Sequence, residues 1–319
     1  MAPTEVSMAA AAASSAAAAA AAGGDWPLLV VRMEPGMALM GSVTLSLIFV
    51  LSLHLWKLLG YRDENRDATG TIQRRFLSSV LTCLCSAAMV YSMAQDARPE
   101  ERGNTFRELL GLSFWSLHWP CIRCLALTAA LFLGPIVQHF LAVWMGGAEL
   151  VELRGSPWMA ARNYVVAPLS EEFVFRACLV RLWVAASFPE GAIIFLSPFC
   201  FAMAHTHHFV EHVRRHGNKQ SALVEVAFQV FYTSLFGMFS NFLLLRTGSL
   251  TAVIVAHSFC NHQGFPDLSF MSSYRGNVLY TQRHLIGALY IVGILVFSLL
   301  MAPLTAGFDS SFRSAPNVL

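Results

Sequence analysis

Long apolar runs divide most of the chain into segments about as long as a membrane is thick. A transmembrane helix needs about 20 mostly apolar residues. The candidate spans cover roughly residues 37–56, 76–94, 121–144, 162–187, 190–206, 223–245, 249–264 and 284–305. The fourth, fifth and seventh are the weakest candidates, because they carry polar residues or are short. The pattern predicts an all-α, polytopic membrane protein with about eight transmembrane helices.

Two segments outside these runs have a distinct composition. Residues 1–24 form an alanine-rich tract that lacks the basic start of a signal peptide, so we predict that it is disordered or loosely helical. The first apolar span is then expected to target the chain to a membrane. Residues 107–119 have an amphipathic pattern, which predicts a segment lying in the membrane interface.

The composition of the chain agrees with a membrane protein. Of its 319 residues, 56% are hydrophobic and 13% are charged, whereas a soluble domain has about 25% charged residues. The mean hydropathy is +0.56. A net charge of +2 without a run of lysine or arginine argues against nucleic acid as a partner. The seven cysteines fall mostly in apolar segments, and we interpret them as small core residues.

Basic residues cluster in the loops that follow the first and fifth predicted spans. They are Lys57, Arg62, Arg66, Arg74 and Arg75 in one loop, and Arg214, Arg215 and Lys219 in the other. An even number of spans separates the two loops, so both lie on the same side of the membrane. The positive-inside rule predicts that this side is the cytosol and that both termini are lumenal.

The first set of charged residues lies inside the fourth predicted span, where it should be costly. A charge at bilayer depth costs roughly 2.5–3.5 kcal/mol on insertion scales. Glu172 and Arg176 are four residues apart and share one helix face, while Glu171 points about 100° away. We predict a buried Glu172–Arg176 ion pair and a Glu171 carboxylate that acts as a general base. A purely structural charge cluster is the alternative.

Two further polar pairs lie in later spans. Phe201 and His205 share a face at the end of the fifth span, and His257 and Asn261 share one in the seventh. Two neutral hydrogen-bond donors near bilayer depth, such as His257 and Asn261, suit a developing oxyanion. The alternatives are a satisfied core histidine at position 205 and an interhelical hydrogen-bonded pair in the seventh span.

Together these residues supply a base, a proton shuttle and oxyanion donors, but no nucleophile in a known setting. The zinc-protease pattern HExxH and the nucleophile turn GxSxG are both absent. The set therefore indicates hydrolysis of an acyl bond by activated water. Two alternatives stay open: a zinc-dependent protease with Glu171, His205 and His257 as ligands, and a non-catalytic scaffold or proton-coupled carrier.

The three motifs resemble those of a known family. EEFVFR, FAMAH and HSFCN are similar to the motifs EExxxR, FxxxH and HxxxN of the type II CAAX prenyl endopeptidases, the Ras-converting enzymes. The likeness covers residues 121–265, including LFLGP at 131–135, AFQVFYTSLFG at 227–237 and the RTGSL before the last motif. It implies N-terminal helices and an interfacial segment at 25–120, a catalytic core at 121–265, and a last helix and tail at 266–319.

The resemblance also implies a reaction and a place in the cell. Such enzymes have eight helices around a cavity open to the cytosol, reside in the endoplasmic reticulum, and remove the last three residues of prenylated CaaX proteins such as Ras-like GTPases. It implies no metal or other cofactor. By motif position, Glu171 and His205 would activate water, and His257 and Asn261 would stabilise the transition state. Arg176 would hold Glu172 in place.

Overall fold

The computed structural model describes residues 27–61, 65–98, 103–112, 118–145, 155–203, 219–271 and 278–312. The predicted all-α class is confirmed, and strands β1 (Leu29–Val31) and β2 (Ala94–Asp96) form a small antiparallel sheet. The helices before the break at 145 are α1 (Pro35–Leu58), α2 (Thr69–Ser92), α3 (Phe106–Leu109), α4 (Trp119–Leu131) and α5 (Leu133–Trp144). The alanine-rich residues 1–24 lie outside the described ranges, as do 113–117 of the predicted interfacial segment.

Helix α6 is a continuous run of helical backbone over residues 157–185 that changes its winding along the way. Two stretches, Arg162–Val166 and Phe173–Val180, are π-helical, and the remainder is α-helical. The later helices are α7 (Glu190–Leu196), α8 (Pro198–Met203), α9 (Lys219–Thr247), α10 (Leu250–Gln263), α11 (Val278–Thr281) and α12 (Arg283–Leu304). Wide π turns are rare and are frequently found at functional sites, and both of these stretches lie in the helix that carries the first motif.

Several of these helices can cross a membrane, which confirms a multi-pass membrane protein. Within the described ranges, α1, α2, α9 and α12 are each long and apolar enough, and α4 with α5 makes a fifth candidate. Helix α10 has 14 residues. It therefore rises about 21 Å, less than the hydrocarbon thickness of about 30 Å. The total of eight spans and the division at 120 and 265 stay predictions.

Prolines break two of the predicted spans. The span predicted at 121–144 is a pair of helices, α4 and α5, with a 74° bend between them. Pro135 lacks an N–H and its ring clashes with the carbonyl four residues earlier, so a straight helix cannot pass that point. The span predicted at 190–206 is likewise divided into α7 and α8 before Pro198. At that break, Asn241 of α9 donates hydrogen bonds to the Ile193 carbonyl and to Ser197 Oγ, both 2.8 Å.

Glycines allow α12 to approach the bent pair closely. A Cβ at Gly134 would overlap the ring of Tyr290, and a Cβ at Gly293 would lie 2.8 Å from the Ala130 carbonyl. Tyr290 also donates a hydrogen bond to Gln138 of α5 at 2.9 Å. Small residues and interhelical hydrogen bonds are the usual means of helix association in membranes, where apolar contact gives little preference.

Arg181, near the end of α6, joins distant parts of the chain. Its Nε donates to the Leu109 carbonyl at 2.8 Å and its Nη1 donates to the Ser311 carbonyl at 2.9 Å. Its guanidinium also lies 3.9 Å from the centroid of the Phe312 ring. The residue is buried, and these contacts offset the cost of burying its charge. Arg181 belongs to none of the three sequence motifs.

Candidate active site

Three of the predicted site residues line one cavity. Its volume is about 370 Å³, and it lies between α6, α9 and α10, beside the loop that joins α1 to α2. Glu171 of the first motif and His257 and Asn261 of the third are in its wall. Lining residues without a predicted role include Arg66, Gln229, Tyr232, Thr233 and Phe236.

The predicted Glu172–Arg176 ion pair is present and fully enclosed. Arg176 Nε lies 3.0 Å from Glu172 Oε2, and both side chains are at most 1% exposed. The aromatic rings of Phe201 and Phe236 also face the guanidinium, with centroids 4.6 and 5.9 Å from its central carbon. Phe201 is the aromatic position of the second motif, so a cation–π contact joins the first motif to the second.

His257 contacts both glutamates of the first motif through its two ring nitrogens. Nδ1 is 2.6 Å from Glu172 Oε1, and Nε2 is 3.9 Å from Glu171 Oε2. Because the Glu172 carboxylate paired with Arg176 can only accept, Nδ1 carries the hydrogen of the shorter contact. A neutral His257 then offers a lone pair at Nε2, and the ring donates there only when it is an imidazolium.

Asn261 is oriented by a backbone carbonyl. Its side-chain nitrogen donates a 2.9 Å hydrogen bond to the carbonyl of Asn163, in the first π-helical stretch of α6. The partner is an acceptor, so the amide nitrogen and not the oxygen must face it. An asparagine amide has two N–H groups, and the second can donate to a reacting oxygen in the cavity.

Gly237 allows α9 to lie against the ion pair. A Cβ at this position would be 2.7 Å from Pro198 Cβ and 3.3 Å from Arg176 Nη2. The Gly237→Ala variant is therefore expected to lose about 1–3 kcal/mol of stability through overpacking, and some activity. Thermal unfolding in detergent measures the loss. Gly287 is the matched control, since a Cβ there meets nothing within 4 Å and alanine favours a helix. Equal stability of the two variants would contradict the close packing at Gly237.

His205, the remaining predicted catalytic residue, lies outside the described ranges, as do residues 204–218 as a whole. Within those ranges, no three histidine, cysteine, aspartate or glutamate side chains are grouped so that they could hold a metal ion. The zinc set of the alternative reading includes His205, so it stays a hypothesis.

Known proteins resemble this chain in the region that forms the candidate active site. The family described as Type II CAAX prenyl endopeptidase Rce1-like matches residues 153–262, which contain the three motifs. CAAX prenyl protease 2 of Homo sapiens is 32% identical over 289 residues, or 86% of this chain and 84% of that protein. The chain belongs to the type II CAAX prenyl endopeptidase family.

Relatives in other organisms carry the same name. CAAX prenyl protease 2 of Arabidopsis thaliana is 40% identical over 146 residues, which are 45% of this chain and 43% of that protein. The Rattus norvegicus protein is 29% identical over 289 residues, or 85% of this chain and 82% of its own length. No solved structure matches the chain. Membership in the family confirms the prediction of a membrane protease over a carrier or scaffold.

The geometry adds residues that the motifs omit. The ring centroid of Phe236 is 4.5 Å from that of His257, and Tyr232 lies one helix turn earlier in the cavity wall. Both belong to the stretch AFQVFYTSLFG, which was noticed as part of the resemblance but received no role. Arg66 and Asn163 were harder to predict from the sequence. Arg66 is one of several basic loop residues, and Asn163 contributes through its backbone carbonyl.

Proposed function

We propose that the chain is an intramembrane endopeptidase that removes the C-terminal tripeptide from prenylated CaaX proteins. The observation that carries the proposal is the convergence of Glu171, His257 and Asn261 on one cavity within an apolar helical protein of this family. A carboxylate, an imidazole and an amide are suitable groups for hydrolysing a peptide bond with water.

In the proposed reaction, Glu171 accepts a proton from a water molecule in the cavity, with His205 as its partner. The water oxygen attacks the carbonyl carbon on the prenylcysteine side of the scissile bond, and the carbonyl oxygen becomes an oxyanion. Asn261 donates its second N–H to this oxyanion, and His257 donates from Nε2 when its ring is protonated. Collapse of the intermediate breaks the C–N bond, and the proton held by Glu171 and His205 passes to the departing amine.

Glu172 and Arg176 have a supporting role in this proposal. Glu172 accepts the Nδ1 hydrogen of His257 at 2.6 Å, which fixes the ring with Nε2 toward Glu171 and the cavity. Arg176 holds Glu172 from the other side, at 3.0 Å. The second glutamate of the motif is therefore a positioning residue for the histidine of the third motif.

The position of the cavity suits a substrate anchored by a lipid. A prenyl chain partitions into the bilayer, so its cysteine is held near the membrane surface. Arg66 lines the cavity and lies in the basic loop after α1, which the positive-inside rule assigns to the cytosol. We propose that the cavity opens to the cytosol from the endoplasmic reticulum membrane, and that small GTPases are among its substrates.

A cleavage assay tests this function directly. The purified protein in liposomes is incubated with a farnesylated CaaX peptide and with the same peptide lacking the farnesyl group, and products are followed by mass spectrometry. We expect release of the intact tripeptide from the farnesylated peptide only. Absence of any cleavage would contradict the proposed reaction, and stepwise release of single residues would exclude an endopeptidase.

The same assay separates the proposed mechanism from the zinc alternative. We expect cleavage to continue after dialysis against a strong chelator, because Glu171 and His205 activate the water without a metal. Loss of activity in chelator and its return with added zinc would instead support Glu171, His205 and His257 as ligands.

A further inference from the structure

One charged residue of the cavity wall has no part in the reaction described above. Among the described residues that line the cavity, Arg66 is the one with a permanent positive charge. It precedes α2, and its side chain is 41% exposed, so it lies at the edge of the protein rather than in its core. Glu171 belongs to the wall of the same cavity.

The backbone of Arg66 is tied to the helix that carries the first motif. Arg162 of α6 donates from Nη1 to the Arg66 carbonyl at 3.2 Å and to Asp67 Oδ1 at 2.8 Å. Its Nε donates to Asn163 Oδ1 at 2.9 Å, and the Asn163 carbonyl accepts from Asn261. A chain of contacts thus holds Arg66 in a defined position relative to the predicted oxyanion donor.

The guanidinium of Arg66 is only weakly neutralised by its neighbour. Among the residues that the structure describes, the nearest carboxylate oxygen is Asp67 Oδ1, which is 3.8 Å from Arg66 Nε and too far for a hydrogen bond. The same oxygen is 2.8 Å from Nη1 of Arg162, whose side chain is only 14% exposed. Asp67 Oδ1 therefore pairs more closely with Arg162 than with Arg66. Arg66 therefore keeps donors that can bind a carboxylate in a bidentate manner.

We propose that Arg66 binds the C-terminal carboxylate of the substrate, an inference that rests on the proposed function. Three extended residues span at most about 10 Å. A sphere with the volume of the cavity, about 370 Å³, would have a diameter close to that length. With the scissile carbonyl at Glu171 and the terminal carboxylate at Arg66, the cavity holds one tripeptide. The distance between the two groups then determines where the chain is cut.

The experiment compares farnesylated peptides that end in a carboxylate with the same peptides ending in a carboxamide. We expect the wild-type protein to prefer the carboxylate by about 10- to 100-fold in kcat/KM, mainly through KM, because a charge-assisted contact is lost in the amide. In Arg66→Gln the preference is expected to fall to about one, and in Arg66→Lys to an intermediate value. Lys57→Gln, which removes a charge from the last turn of α1 just before that loop, is expected to keep the full preference.

The outcomes distinguish this inference from the function on which it rests. If the wild-type protein cleaves neither peptide, the proposed function fails and the inference fails with it. If the wild-type protein cleaves both equally, or if Arg66→Gln keeps the preference, only the role of Arg66 is overturned. Loss of kcat on both peptides in a folded Arg66→Gln protein would also overturn it, since it would assign Arg66 to a different step.

Discussion

Replacement of Glu171 by glutamine is expected to reduce cleavage of a farnesylated CaaX peptide by about 10²- to 10⁴-fold. The amide has nearly the same shape as the carboxylate but cannot take a proton from the attacking water. The effect should appear mainly in kcat, because the peptide still enters the same cavity. Single-turnover kinetics with excess enzyme measures it without interference from product release.

Glu190→Gln provides the matched control for this variant. Glu190 is an exposed carboxylate at the start of α7 and is not among the residues that line the cavity. The same chemical change at this position should leave the rate within about twofold, since surface substitutions rarely matter. A Glu171→Gln protein that is folded and cleaves at the wild-type rate would remove Glu171 from the mechanism.

The second large effect is expected from Arg176→Met, which should lower the folded yield as well as the activity. Removing one member of a fully buried ion pair leaves the other charge without its partner, at a cost of about 3–5 kcal/mol. Here the stranded group would be Glu172, which is 0% exposed. Thermal unfolding in detergent and the yield of monodisperse protein measure the loss.

A double variant shows whether the stranded charge is the cause. Adding Glu172→Gln to Arg176→Met removes both charges and keeps an oxygen that can accept the Nδ1 hydrogen of His257. We expect stability to return to near the wild-type value, because buried ion pairs contribute little against neutral replacements. Activity should return only in part, since an amide oxygen accepts the Nδ1 hydrogen that orients His257 less strongly than a carboxylate does. A double variant as unstable as the single one would contradict this account.

Local spacing in the sequence was sufficient to predict pairs within one helix. Glu172 and Arg176 are four residues apart, and the structure brings them to 3.0 Å. Their enclosure also follows from the sequence, because the surrounding run is apolar. His257 and Asn261, again four apart, both line the cavity as a shared face predicts.

Contacts between helices could not be predicted in this way. Glu172 and His257 are 85 residues apart, and nothing in their own segments indicates that α6 and α10 are neighbours at that height. For Arg66, the sequence indicated only the side of the membrane on which its loop lies, as for the other basic loop residues. Its place in the cavity depends on Arg162, which binds its backbone from another element.

The spans at 121–144 and 190–206 show a different limit of sequence reasoning. Average hydropathy measures how apolar a window is and ignores whether its backbone can continue as one helix. Pro135 lies in the first of these windows and Pro198 in the second. In each case the surrounding apolar residues keep the average hydropathy of the window high. At these two positions the missing N–H and the ring of proline interrupt the helix, an effect of single peptide groups that an average over the window does not register.

The uneven winding of α6 has a consequence for its two enclosed arginines. Arg176 lies inside the second wide-turned stretch, and Arg181 follows directly after it. A regular α-helix rotates by about 100° per residue, and a π-helix rotates by less because it has more residues in each turn. The side chain of Arg181 therefore points in a different direction about the helix axis than it would in a regular α-helix. The wider turns of this stretch thus set the angle about the helix axis between Arg176, which pairs with Glu172, and Arg181, which binds Ser311.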